Sequence, residues 1–137
     1  MALDVGDKRI GVAMTDPGCT IAQPFSVIEK NGREIEEIGR IVTDYGVGRM
    51  VVGMPYKNDG DVGAQAKKTM KFVDNLKAHF GEIGANVAIA TWDESMTTHD
   101  AHERMKEMGV KHSQRKKVID KIAAVIILES YLSGMKE

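Results

Sequence analysis

The sequence predicts an α/β domain built on a mixed five-stranded sheet with helices on both faces. Three observations lead there. Three strand-like segments open the chain with short turns between them. Strand and amphipathic-helix patterns then alternate, and the final helix is apolar nearly all round, as in a helix largely buried by its neighbours. Hairpin-like strands followed by strand–helix alternation combine antiparallel with parallel pairing in one sheet.

Each element has its own signal. Residues 2–6 and 9–15 read as strands around a tight turn at Gly6-Asp7. A third strand at 22–29 contains Pro24, which cannot donate to a ladder and so points to a sheet edge. Residues 33–45 place Ile35, Ile38, Ile41, Val42 and Tyr45 at helical spacing, and Gly46 supplies a left-handed cap. The apolar run 49–54, stopped by Pro55, reads as a buried strand. A helix over about 61–80 carries Val62, Ala66, Met70, Val73, Leu76 and Phe80 on one stripe. Residues 87–92 form a fifth strand, a short helix spans about 98–108 with Thr97 or Thr98 as N-cap, and the last helix covers about 115–132.

Bulk properties narrow the class. A chain of 137 residues fits one domain, here 1–137, and is too short for two nucleotide-clamping lobes. With 42% hydrophobic and 28% charged residues the composition is that of a soluble globular protein. No run approaches the ~20 apolar residues of a membrane span, so no membrane partner is expected. The start Met1-Ala2-Leu3-Asp4 lacks the features of a signal peptide, and Cys19 has no second cysteine to pair with, so a cytoplasmic setting is expected. A net charge of −1 does not by itself indicate nucleic acid. Lys111, His112, Arg115, Lys116 and Lys117 nevertheless crowd into seven residues, a basic footprint or a solvated face.

The acids carry the chemistry. In sheets of this kind ligands gather at the carboxyl ends of strands. Asp4 lies inside a short apolar strand, where a carboxylate is costly unless it is paired or metal-bound; its bland alternative is a bond to the turn amides of Gly6–Lys8. Asp93 and Glu94 end the fifth strand and alternate between faces, so one at most addresses a metal, and Glu94 has the longer reach. Asp120 shares a helix face with Ala123, Ala124 and Ile127, small neighbours that favour close packing; otherwise it complements the helix dipole. Three such carboxylates make a hard oxygen site suited to Mg²⁺ or Mn²⁺, the setting for phosphodiester hydrolysis.

Four blocks in order resemble the YqgF family. The first is Asp4-Val5-Gly6-Asp7-Lys8-Arg9-Ile10-Gly11-Val12-Ala13-Met14-Thr15-Asp16, and the second is Val51-Val52-Gly53-Met54-Pro55 with Asp59-Gly60 and Gly63. Asp93-Glu94 with Thr97-Thr98, then Ile119-Asp120 with Ala123–Leu128, complete the set over essentially the whole chain. The resemblance implies an RNase H-like fold and a metal-dependent nuclease acting on precursor rRNA, at the 5′ end of pre-16S rRNA, or on branched DNA as a Holliday junction resolvase. It carries the catalytic acids onto Asp4, Glu94 and Asp120. Two departures stand out: Ser95 replaces an arginine usual after the acid pair, and the fourth strand ends Gly53-Met54-Pro55 without an acid.

Other features support or bound this reading. Lys8 and Arg9 follow the glycine turn beside Asp4 and are candidates to hold a phosphate, as are Lys111, Arg115, Lys116 and Lys117 on the approach to Asp120. The 55–60 loop leads into a helix N-terminus, either an anion site or a capped connector. His99 and His102 read as solvated histidines, Cys19 lacks a nearby histidine to activate it, and no GxxxxGK[ST] motif occurs. Two competing classes are a non-catalytic nucleic-acid-binding protein, favoured by Ser95, and an actin-like ATPase, disfavoured by length. Monomer and homodimer are both compatible with the sequence.

Overall fold

The structure of the chain, a computed structural model, describes residues 1–55, 63–93 and 115–135, with side chains for 122–134 in the last segment. The elements follow the expected order. They are β1 (Ala2–Val5), β2 (Arg9–Thr15), β3 (Ala22–Glu29), α1 (Glu34–Tyr45), β4 (Arg49–Met54), α2 (Ala64–Ile83), β5 (Ala88–Asp93) and α3 (Arg115–Met135). The helix expected at 98–108, with its threonine cap, and the 56–60 loop lie outside the described residues.

The sheet runs β3-β2-β1-β4-β5. β1 pairs antiparallel with β2 and parallel with β4, and β5 extends the parallel half. The β1–β2 turn is closed by the Gly6 amide donating to the Arg9 carbonyl at 2.8 Å. A Cβ on Gly6 would sit 2.9 Å from that same carbonyl oxygen, so the turn requires glycine. Pro24 does lie on an edge strand, next to a ladder irregularity where Val12 pairs with Ser26 and Ala13 with Pro24.

Strand alternation divides the sheet into two unlike faces. Leu3, Val5, Ile10, Val12, Ile28, Met50 and Val52 point to one side, where Ile38 and Val42 of α1 and Phe72, Val73, Leu76 and Phe80 of α2 cover them. Ala2, Ala13 and Val51 point to the other, beneath Ala124, Val125, Ile127 and Leu128 of α3. Helices therefore cover both faces, as the pattern predicts.

Helix details sharpen the sequence reading. Gly46 caps α1 at φ 62° and ψ 41°, its amide bonded to the Val42 carbonyl. Gly84 does the same for α2, which runs to Ile83, three residues beyond the expected end. Met70, expected on the buried stripe of α2, is 49% exposed. Thr69 and Phe72 are buried instead, and the Lys30 ammonium lies over the Phe72 ring. Tyr45 is likewise mostly exposed at the end of α1, although its ring meets Phe25 edge-on at a centroid distance of 5.0 Å.

Candidate active site

Asp4 is set by β1. The two hydrophobic neighbours Leu3 and Val5 are buried on the α1–α2 face, so alternation turns Asp4 toward α3, where it is half-buried. Its partner across β2 is Gly11. The parallel register Ala2↔Val51 and Leu3↔Val52, continued one step, sets Gly53 on its other flank. Gly53 pairs in turn with Trp92 of β5. A row across the sheet thus reads Gly11, Asp4, Gly53, Trp92, with no side chain on either immediate neighbour of the acid. That leaves room over Asp4 for close approach of a helix, an ion or a phosphate.

The α3 side of this row is tightly set. Trp92 donates its indole N–H to Ser130 Oγ at 2.8 Å, and its ring meets Tyr131 edge-on at 5.5 Å. A Cβ on Gly134 would lie 2.6 Å from the ring, so α3 rests its backbone directly on the indole. Ala124 and Ile127 are fully buried against Ala2, Ala13 and Val51. Position 120 precedes Ala124 by one turn on the same helix. Nothing is described of its side chain, nor of those of Arg115, Lys116 and Lys117, which fall in the first turn of α3.

The acids of β5 separate by parity. Asp93 follows Ile89 and Thr91 on the face opposite Trp92; Ile89 packs against the α1–α2 core. Glu94 and Lys111 lie outside the described residues. Arg9 donates from Nε to Glu29 Oε1 at 3.2 Å in a surface ion pair, worth little to stability on its own. Lys8 is exposed in the hairpin turn, and its carbonyl accepts the Lys30 amide at 3.0 Å. Among the described residues, no three histidine, cysteine, aspartate or glutamate side chains group to hold a metal. The described donor, Asp4, is of the hard oxygen type that Mg²⁺ or Mn²⁺ takes.

A cleft of about 610 Å³ lies at the opposite end of the sheet, by the amino ends of β1 and β4, between Met1, Met14, Val51, Leu128 and Leu132. The Asp16 carboxylate at its rim is engaged locally. It accepts the Thr20 hydroxyl at 2.6 Å and the Thr20 and Ile21 amides at 2.7 and 2.9 Å. Those bonds, the Thr20 hydroxyl foremost, lower its pKa from 3.8 to about 2. Asp4 does not line this cleft, which is not the candidate site.

Two roles escape the sequence. Gly11 and Gly53 stand within the quoted motifs, but their position beside Asp4 follows only from strand register. The recurrence of glycine in both motifs is the signal that was there to find.

A mixed five-stranded sheet of order β3-β2-β1-β4-β5, covered by helices on both faces, defines the class: an RNase H-like fold. The chain belongs to the RuvX family, described as "Holliday junction resolvase", whose model matches residues 1–134. It is 42% identical to the "Putative pre-16S rRNA nuclease" of Thermoanaerobacter pseudethanolicus, over 99% of this chain and 96% of that protein. The protein of the same name from Desulforudis audaxviator is 38% identical, over 99% and 94%. Solved structures share the fold at low identity. T. thermophilus RuvC in complex with Holliday junction substrate gives a TM-score of 0.57 at 14% identity, over 97% of this chain and 92% of that one. A Fowlpox virus resolvase in complex with Holliday junction DNA gives 0.56 at 13%, over 98% and 97%.

Proposed function

We propose that this protein is a divalent-metal-dependent nuclease that matures the 5′ end of pre-16S rRNA in the cytoplasm, with Asp4, Glu94 and Asp120 as its metal-holding carboxylates. The observation that carries the reading is the placement of Asp4. It faces α3, the helix that bears Asp120, and it stands between two glycines in an otherwise close-packed sheet. The helix register favours the same arrangement, since Asp120 precedes the buried Ala124 by one turn. On β5, Glu94 has the sequence parity of Trp92, the residue that meets α3, whereas Asp93 has the other parity. Glu94 is therefore the better ligand of the pair, and Asp93 supports the strand end.

Mg²⁺ or Mn²⁺ held there supplies the charge that activates a water and stabilises the leaving oxygen of a phosphodiester. The chain's own contribution is to hold hard oxygen donors at a fixed spacing on rigid elements. Lys8 and Arg9 meet the substrate backbone at the hairpin, while Lys111, Arg115, Lys116 and Lys117 meet it at the start of α3. The names of the relatives favour a pre-16S rRNA substrate. The family description favours a second reading, resolution of four-way DNA junctions.

The discriminating experiment incubates purified protein with precursor 16S rRNA and with a four-way junction, each in Mg²⁺, Mn²⁺ or EDTA. Cleavage of the RNA near its mature 5′ end, with metal only, is expected. Cleavage confined to the junction selects the second reading. Binding to either without metal-dependent cleavage overturns both in favour of a non-catalytic binding protein.

A further inference from the structure

Away from the acids, the fold gathers lysines that are distant in sequence. Lys8 occupies the β1–β2 turn, and Lys30 follows β3 with its amide bonded to the Lys8 carbonyl at 3.0 Å. Lys68, in the second turn of α2, reaches Asp7 of the same hairpin at 3.9 Å. Lys30 sets its ammonium over the Phe72 ring, 5.6 Å from the centroid, which brings it to the flank of α2 one turn from Lys68. Lys71 lies three residues beyond Lys68 and is exposed. Four cations thus collect around one hairpin of a chain whose net charge is −1.

Among the described residues, Glu29 and Asp7 do not cancel them. Glu29 is engaged by Arg9, and Asp7 meets Lys68 in a long, exposed contact that competes weakly with a stronger anion. Lys30 is half-buried and steadied by the aromatic face. The patch also has a direction. Asp7 is three residues past Asp4, in the turn beyond the carboxyl end of β1. α2 starts after the carboxyl end of β4, so its first turns share the end of the sheet toward which Asp4 leads. A nucleic-acid chain passing that end meets the acid on the α3 side and the lysines on the α2 side.

We propose that Lys8, Lys30, Lys68 and Lys71 form a docking surface for the phosphate backbone of the nucleic-acid substrate. The surface rests on the nuclease reading of the neighbouring site, and it contributes affinity without base specificity. It adds Lys30, Lys68 and Lys71 to the contacts expected from sequence.

The test measures binding of the full chain to a fluorescent four-way DNA junction and to a labelled RNA hairpin, by anisotropy in EDTA over a salt series. The double variant Lys68→Gln/Lys71→Gln should bind the junction about tenfold more weakly at 0.1 M salt. Its log–log salt slope should be shallower by between about 1 and 2 units, from near 0.9 per lost phosphate contact. Lys30→Gln should act in the same direction, and Lys77→Gln, further along α2, should match wild type. Lys68, Lys71 and Lys77 are exposed and Lys30 is half-buried, and unchanged melting checks the fold of each variant. An unchanged slope in the double variant overturns the surface, as does a wild type that binds neither probe. The two readings fail separately. Wild type that binds with the predicted slopes but never cleaves removes the nuclease and keeps the surface. Metal-dependent cleavage with no slope change removes the surface alone.

Discussion

The two faces of the sheet are built from different residues. Toward α1 and α2 the strands present Leu3, Val5, Ile10, Val12, Ile28, Met50 and Val52, all buried and all large. Toward α3 they present Ala2, Asp4, Gly11, Ala13, Val51 and, by register, Gly53. Large branched residues fill space and give a close-packed interior. Small ones let α3 approach and leave a shallow row in which one carboxylate stands between two glycines. One face is filled by bulky side chains, and the other packs α3 closely while keeping glycines beside Asp4, where the proposed site lies.

Adjacent residues on β1 break the comparison most directly. Asp4→Asn should lower metal-dependent cleavage by on the order of a thousandfold or more, as expected for loss of a ligand to the ions that stabilise the transition state. Its melting temperature should stay level or rise slightly, because the proposed site would then hold one fewer negative charge. Single-turnover cleavage and a thermal melt on the same sample check both halves. Leu3→Ala, one residue away and fully buried, should do the reverse. A cost of about 3 kcal/mol is expected from the lost methyl groups and the cavity, on the order of 10 °C in melting, with cleavage per folded molecule little changed. Equal effects of the two substitutions on both readouts would dissolve the distinction between the faces.

Smaller effects sharpen it. Trp92→Phe keeps the ring against Tyr131 but removes the donor to Ser130, and should cost about 1 kcal/mol in denaturant melts. Ser130→Ala in the same background should add little, because both changes delete one bond. The smallest effect is expected at Asp16. Its folded pKa of about 2 lies below the ordinary 3.8, so the turn it caps is stabilised above pH 4 and loosens as pH falls through 2. The Thr20 and Ile21 amide signals should shift with that low midpoint in an NMR titration. A midpoint near 4 would show that the carboxylate is not held by those donors.

The local parts of this fold were legible in the residues. Strand alternation, Pro24 at an edge and Gly46 at a helix end each act within a few positions, and the structure bears them out. The membership of the family was legible for a related reason, since its motifs are contiguous blocks. What depends on register was not. The glycines flanking Asp4 come from β2 and β4, and only the pairing of three strands shows that they are its neighbours. The contact of Lys30 with Phe72 joins α2 to a residue some forty positions earlier in the chain. Periodicity within one helix contains no information about what lies across from it.

Binding of Mn²⁺, followed by titration calorimetry in the absence of nucleic acid, reports on Asp4 without relying on turnover. The account predicts saturable binding by the wild-type protein and its loss, or a drop of at least about tenfold in affinity, in a folded Asp4→Asn variant. Equal Mn²⁺ affinity in the two proteins would contradict the assignment of Asp4 as a metal-holding carboxylate.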